Sequence, residues 1–194
     1  MYSQTSIANL ALAYLGQPPI SSLQQNNERA RWISLFYEPV RDEVLRTHDW
    51  AFATVEKPLV PAQTPVMQGQ MAYSYPADAL FIRQVFRVQA PQEAVAFEER
   101  FDVSSHSRVL VTSVAQAHVR YTRRMSDETQ YDPVFVKCFA LALASDAALA
   151  LTGDVTLSAQ LHQKYTLYLE EARRNNMAEG KFVTMQTDAF SEVR

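Results

Sequence analysis

From Val134 to Leu151 apolar side chains run almost without a polar face; Lys137, Ser145 and Asp146 are the exceptions, and they share no side of a 3.6-residue repeat. Such a pattern predicts a helix buried on several sides. Asp132 is placed to cap its first free N–H groups, Pro133 suits the first helical position, and Gly153 suits the left-handed turn at its end. After Asp154 or Thr156, each able to cap, Leu157, Leu161, Tyr165, Tyr168 and Ala172 form one apolar stripe, with Gln160, Lys164, Glu171 and Arg174 elsewhere. The two segments predict an antiparallel helical hairpin.

At the other end of the chain, Ser3 or Thr5 opens a short helix with Ile7, Leu10, Ala11, Tyr14 and Leu15 as its stripe, and Gly16, Pro18 and Pro19 end it. Asn26 or Asn27 opens a second helix that runs to about Thr47 and presents Ile33, Phe36, Tyr37, Val40 and Val44. Pro39 lies inside it, and an interior proline costs about 3 kcal/mol, so a kink is expected near Glu38.

Between Ala51 and Thr122 the pattern changes. Prolines 58, 61, 65, 76 and 91 punctuate short alternating stretches, which predict strands. Ile82, Gln84, Phe86 and Val88 form the more apolar face of one. Arg108–Val111 and Ala117–Tyr121 predict two more, the latter with Ala117, Val119 and Tyr121 facing one way and His118 and Arg120 the other. Ser104–Ser107 reads as a hairpin connection. The predicted fold class is α+β: a mainly helical bundle with an inserted antiparallel β domain, as a sheet or small barrel, and an extended C-terminal arm. Its segments are 1–50, 51–125, 126–178 and 179–194. Within the arm, Phe182, Met185 and Phe190 are isolated apolar groups suited to docking.

Composition narrows the function classes. At 194 residues and 47% hydrophobic content the chain can bury a core. Lys137 and Asp146 interrupt the most apolar segment and the N-terminus lacks a basic leader, so neither a membrane span nor a secretory signal is expected, and the chain is expected to stay in a cytosol. Cys138 stands alone and reads as a small buried side chain. A net charge of −3 does not suit a broad nucleic-acid footprint, although it suits a wall that DNA slides past.

Candidate chemistry is sparse. His48, His106, His118 and His162 have no metal-ligand spacing, and the four glycines never cluster into a phosphate-binding loop. Glu98 and Glu99 are adjacent on an expected strand and point to opposite faces, which does not make a carboxylate pair for one substrate. No catalytic, metal or cofactor site is predicted. Arg120, Tyr121, Arg123 and Arg124 combine guanidinium groups with an aromatic ring, and Asp127 and Glu128 follow at once; this group reads as a subunit or partner interface rather than a DNA site.

Four stretches in order, IANLALAYLGQPPISSL, VRDEVLRTHDWAFA, YSYPADALFIRQVFRV and YTRRMSDETQYDPVFVKCFALALASDAALALTGD, resemble the head-to-tail adaptors of short-tailed bacteriophages, the tail tubular protein A family. The resemblance spans nearly the whole chain, with Gln17 where an acidic residue is common in relatives. It implies a non-enzymatic virion protein of the tail or neck, made in the host cytoplasm. The implied assembly is a twelve-fold homo-oligomeric ring between a portal protein and a tail nozzle protein, with DNA passing through its channel and no membrane contact. It also implies that the C-terminal arm docks on the portal. Two other readings remain at this point: a tail-borne hydrolase of cell-wall polysaccharide, which needs two carboxylates across a cleft, and a soluble DNA-binding regulator, which needs a basic recognition helix.

Overall fold

The computed structural model describes residues 1–184, with side chains as far as Arg174. It divides into two compact units: Met1–Val44 together with the chain from Asp127 onward, and Leu45–Ser126. The fold is α+β, with helices from both ends of the chain and an antiparallel β region between them.

In the first unit, α1 (Gln4–Tyr14) begins at a capping box in which the Ser3 and Ser6 side chains each accept from the other's backbone N–H. Ile7, Ala8, Ala11 and Leu12 are its buried face, so the stripe is rotated from the predicted one, and Leu10 and Tyr14 are only half-buried. The Pro-Pro segment that follows is tied back by Asn9, whose amide accepts from Ile20 N–H (2.8 Å) and donates to Ile20 O (3.0 Å). Asn27 caps the next helix, α2 (Glu28–Thr47). The expected kink near Glu38 does not interrupt this helix: Pro39 lies within it, exposed, while Ile33, Tyr37, Val40, Arg41 and Val44 are buried and offset the lost hydrogen bond.

The core of this unit is α3 (Pro133–Thr152), the segment that carries the unbroken apolar pattern. Asp132 accepts from Val134 and Phe135 N–H, Pro133 opens the helix, and Gly153 closes it at φ 70°. By length and composition α3 could cross a membrane, yet two-thirds of it is enclosed by the protein, and its middle, from Phe135 to Ala148, is buried except at Lys137 and Asp146. An aromatic chain links it to α2: Tyr131 meets Phe135 edge-on at 4.8 Å, Phe135 and Phe139 lie 5.9 Å apart, and Phe139 meets Tyr37 at 4.9 Å. The last helix, α4 (Val155–Thr184), capped by Asp154, packs along α3 with Leu161, Tyr165, Leu169 and Ala172 buried. It continues to Thr184, so residues 179–184 are helical and not the start of an extended arm; the single glycine there, Gly180, costs only about 1 kcal/mol in a helix.

The second unit contains seven strands: β1 (Thr54–Pro58), β2 (Met71–Ser74), β3 (Ala79–Arg87), β4 (Ala90–Val95), β5 (Phe97–Asp102), β6 (Ser107–Thr112) and β7 (Ala117–Arg123). They form two antiparallel sheets, ordered β1-β7-β3-β4 and β2-β6-β5. Ile82, Val85, Val119 and Tyr121 of the first share one core with Tyr73 and Leu110 of the second. Tyr73 pins the layers by donating from its hydroxyl to Val114 O at 2.7 Å. The β5–β6 hairpin turns through His106 at φ 48°, and Asp102 accepts from the hydroxyls of Ser104, Ser105 and Thr64. Those bonds, led by Ser105 and then Ser104, hold its carboxyl well below the usual range.

Candidate functional site

The strand pattern of β7 decides the fate of the arginine group. Alternation sends Arg120 and Tyr121 to opposite faces of the sheet. Arg120 donates from Nε to the Glu56 carboxylate and from Nη1 to Gln84 Oε1 (3.1 Å), and its guanidinium lies over Phe86. Tyr121 is buried in the sandwich core, donates to Asp78 Oδ1 at 2.9 Å and carries Lys57 over its ring. Arg123 and Arg124 are exposed at the strand's end, where Arg124 N–H donates to Asp78 O. The four residues therefore do not share one surface, and Tyr121 is core rather than contact.

An arginine that sequence reasoning passed over has more partners than any of them. Arg83 donates to Thr122 Oγ1 and to the carbonyls of Arg46 and His48, each at 2.8 Å, pairs with Asp49, and lies over the Phe81 ring at 4.7 Å. Register explains its reach. Opposite β7, strand β3 carries extra residues at Leu80 and Arg83, so Arg83 escapes the alternation that its neighbours obey.

A buried polar cluster lies in the helical unit. Arg41, 3% exposed, donates from Nε and Nη2 to Asp42. The hydroxyl of Tyr37, itself 2% exposed, and Glu128 Oε1 are both buried without a hydrogen bond of good geometry. Burial first, then the Glu128 charge, pushes the Tyr37 phenol far above its ordinary value, and burial does the same to Tyr131. Phenols displaced in that direction stay protonated at neutral pH and are poorly suited to act as bases. Among the described residues no three His, Cys, Asp or Glu side chains are grouped to hold a metal ion.

Several surface depressions occur among the described residues, and two of them adjoin exposed apolar side chains. In the helical unit, an open groove of about 680 Å³ runs between the 23–27 segment and α2, where Leu23, Gln24, Arg31, Trp32 and Leu35 line it; Leu35 is 60% exposed. In the β unit, a pocket of about 340 Å³ has walls of Ala62, Val66, Met71, Ala72 and Tyr73. Met67 and Val60, both well exposed, neighbour its wall residues in the chain, and the Gln70 carbonyl at the pocket is buried with no donor. The pocket in the β unit is apolar with few polar anchors, whereas the groove beside α2 is lined mostly by polar side chains around Leu23, Trp32 and Leu35.

Of the expected docking residues, Phe182 belongs to the last turns of α4, and Met185 and Phe190 lie outside the described residues. Compared with known protein families and with curated proteins, the chain matches none of them.

Proposed function

We propose that this chain is a structural adaptor of a short-tailed phage virion, assembling as a twelve-copy ring between portal and nozzle and leaving a channel through which DNA passes. One observation carries the reading: helices from both termini form a single unit, and a β sandwich is inserted between α2 and α3, in the order in which the four adaptor-like sequence stretches occur. The physical demands of a ring favour the same reading. A subunit held between neighbours needs a rigid centre, and α3 supplies one through burial on nearly every side. It also needs apolar surface outside that centre, which Leu35, Met67, Met71 and Phe101 provide. Permanent ring contacts bury upward of about 2,000 Å².

In this reading the end of α4 and the residues after it dock on the portal, with Phe182, Met185 and Phe190 as anchors. Purified portal rings of a short-tailed phage, mixed with the full chain and with a version ending at Ala178, test it by native mass spectrometry. The expected result is a twelve-copy complex with the full chain only. Equal binding by both versions removes the docking role, and failure of the full chain to bind removes the adaptor reading.

A further inference from the structure

We infer that two copies of the chain associate through strand β5, paired antiparallel across its open edge with Glu99 at the dyad. Sheet order leaves this edge free: β5 ends the β2-β6-β5 sheet, and among the described residues no segment but β6 bonds its backbone groups. The opposite end of the same sheet is covered. There Ser74 N–H donates to Val60 O and Ala62 N–H to Ala72 O, so the 60–62 segment closes β2. An unpaired strand edge is a ready template for a further strand.

The residues of β5 say which strand fits. Phe97, Glu98, Glu99, Arg100 and Phe101 are complementary to their own reverse, apart from the centre. Antiparallel pairing about Glu99 sets Phe97 opposite the second copy's Phe101 and Glu98 opposite its Arg100, and the dyad repeats both pairs. Aromatic pairs and opposite charges each stabilise a ladder. Within one chain Arg100 already donates to Glu98 at 2.6 Å, so the dyad joins two such pairs into four alternating charges. Phe101, 61% exposed, is the apolar group that the second copy covers, and Phe97 beside the sandwich core is its counterpart.

Register follows from the same residues. A slip of one position would set Phe101 against Glu98 and turn the core-facing side of one sheet to the outside of the other. Glu99 meets its own copy at the centre, the one unfavourable pair. Arg108, diagonal to it across β6, offsets part of that repulsion. The contact is isologous and closes at two copies, so it differs from the contacts of a ring and stands or falls apart from the portal reading.

Glu98→Arg and Arg100→Glu each set like charges opposite one another. Circular dichroism verifies that both are folded, and sedimentation velocity follows association over a concentration series. Wild type is expected to form dimers, and each variant alone to associate at least about tenfold more weakly, since two ladder pairs per dimer change sign. An equimolar mixture of the two variants is expected to recover dimers, because the arginines of one chain then face the glutamates of the other at both positions. Glu99→Gln, which removes the central repulsion, is expected to dimerise more tightly than wild type.

A wild-type chain that stays monomeric throughout overturns the contact and leaves the edge to a strand from another protein. Association that both charge reversals retain in full overturns it too, and so does a mixture that fails to recover. Should a charge reversal unfold the chain, Glu99→Gln carries the decision, and association equal to or weaker than that of wild type overturns the pairing.

Discussion

The guanidinium of Arg83 donates to the backbone carbonyl of Arg46 at 2.8 Å, so a strand residue closes the end of the helix that precedes it by more than thirty positions. The same Nη2 reaches His48 O, and Asp49 balances the charge. The last carbonyls of a helix have no partner within it and carry the negative end of its dipole, so a cation there answers both needs. The Arg46 guanidinium also lies over the Phe81 ring, 5.6 Å from its centre.

Arg83→Ala is expected to destabilise the protein by about 2–3 kcal/mol, the scale of several hydrogen bonds to one charged group. Arg83→Lys is expected to recover less than half, because a point charge cannot span Thr122 and the helix end together. Urea unfolding midpoints of the three proteins decide it. Equal midpoints for wild type and Arg83→Ala would show that water caps α2 as well as the arginine does.

Much of the chain was readable before any coordinates. Asp132, Pro133 and Gly153 marked α3 at both ends, and Ser104–Ser107 marked the β5–β6 turn, because caps and turns are local chemistry. The division of β7 into a buried and a half-buried face was equally plain from its alternation. That alternation already put Tyr121 with Ala117 and Val119, and naming it an interface residue set the composition of a short motif above the period of the strand. Strand β3 resisted for a different reason. Extra residues at Leu80 and Arg83 break the two-residue period, so no alternating template fits it, and the partners of Arg83 lie too far away in sequence to be seen. The groove at Trp32 and the pocket at Gln70 were also illegible, since each is a shape made by segments whose approach only the fold decides.

Tyr37 offers a cleaner test of core energetics than a simple truncation. Its ring packs edge-on against Phe139, while its hydroxyl is buried beside the Glu128 carboxylate without a hydrogen bond of good geometry. Phe139→Ala is expected to cost about 3–5 kcal/mol through lost packing and the cavity left behind. Tyr37→Phe keeps the ring and removes the orphan oxygen, so it is expected to be neutral or stabilising by up to about 1 kcal/mol. Thermal or urea unfolding of both variants measures this, and a clear loss of stability in Tyr37→Phe would mean that the hydroxyl has a partner, such as a bridging water to Glu128.

Cys138 should be chemically silent while the protein is folded. It is fully buried on α3, and burial pushes its thiol up to about 11, against a weaker opposing pull from Lys137. Only the thiolate attacks disulfide reagents, so at mildly alkaline pH the folded chain offers neither access nor nucleophile. Reaction with an aromatic disulfide reagent is expected to be negligible in buffer and complete in denaturant. Its rate across intermediate urea concentrations is expected to follow the unfolded fraction, and fast reaction in buffer would contradict the burial of α3.

Asp146 interrupts the apolar run of α3, and its ionisation should count against the fold. Asp146 keeps contact with solvent, yet partial desolvation by the groups around it, then the negative charge of Glu43, raises its carboxyl above the ordinary value, with His162 pulling partly the other way. A carboxyl raised in the folded state binds protons more tightly there than in the unfolded chain, so its contribution to stability falls as pH rises through the unfolded and then the folded value. Above both, the charge is present and unfavourable. Asp146→Asn removes it, and the variant is expected to be more stable than wild type near neutrality. The advantage should shrink as pH falls through the folded and then the unfolded carboxyl value, and be gone below both, where the wild-type carboxyl is neutral too. Urea midpoints of both proteins at neutral and acid pH provide the comparison; an advantage that stayed constant with pH would assign the effect to packing or helix propensity rather than to charge.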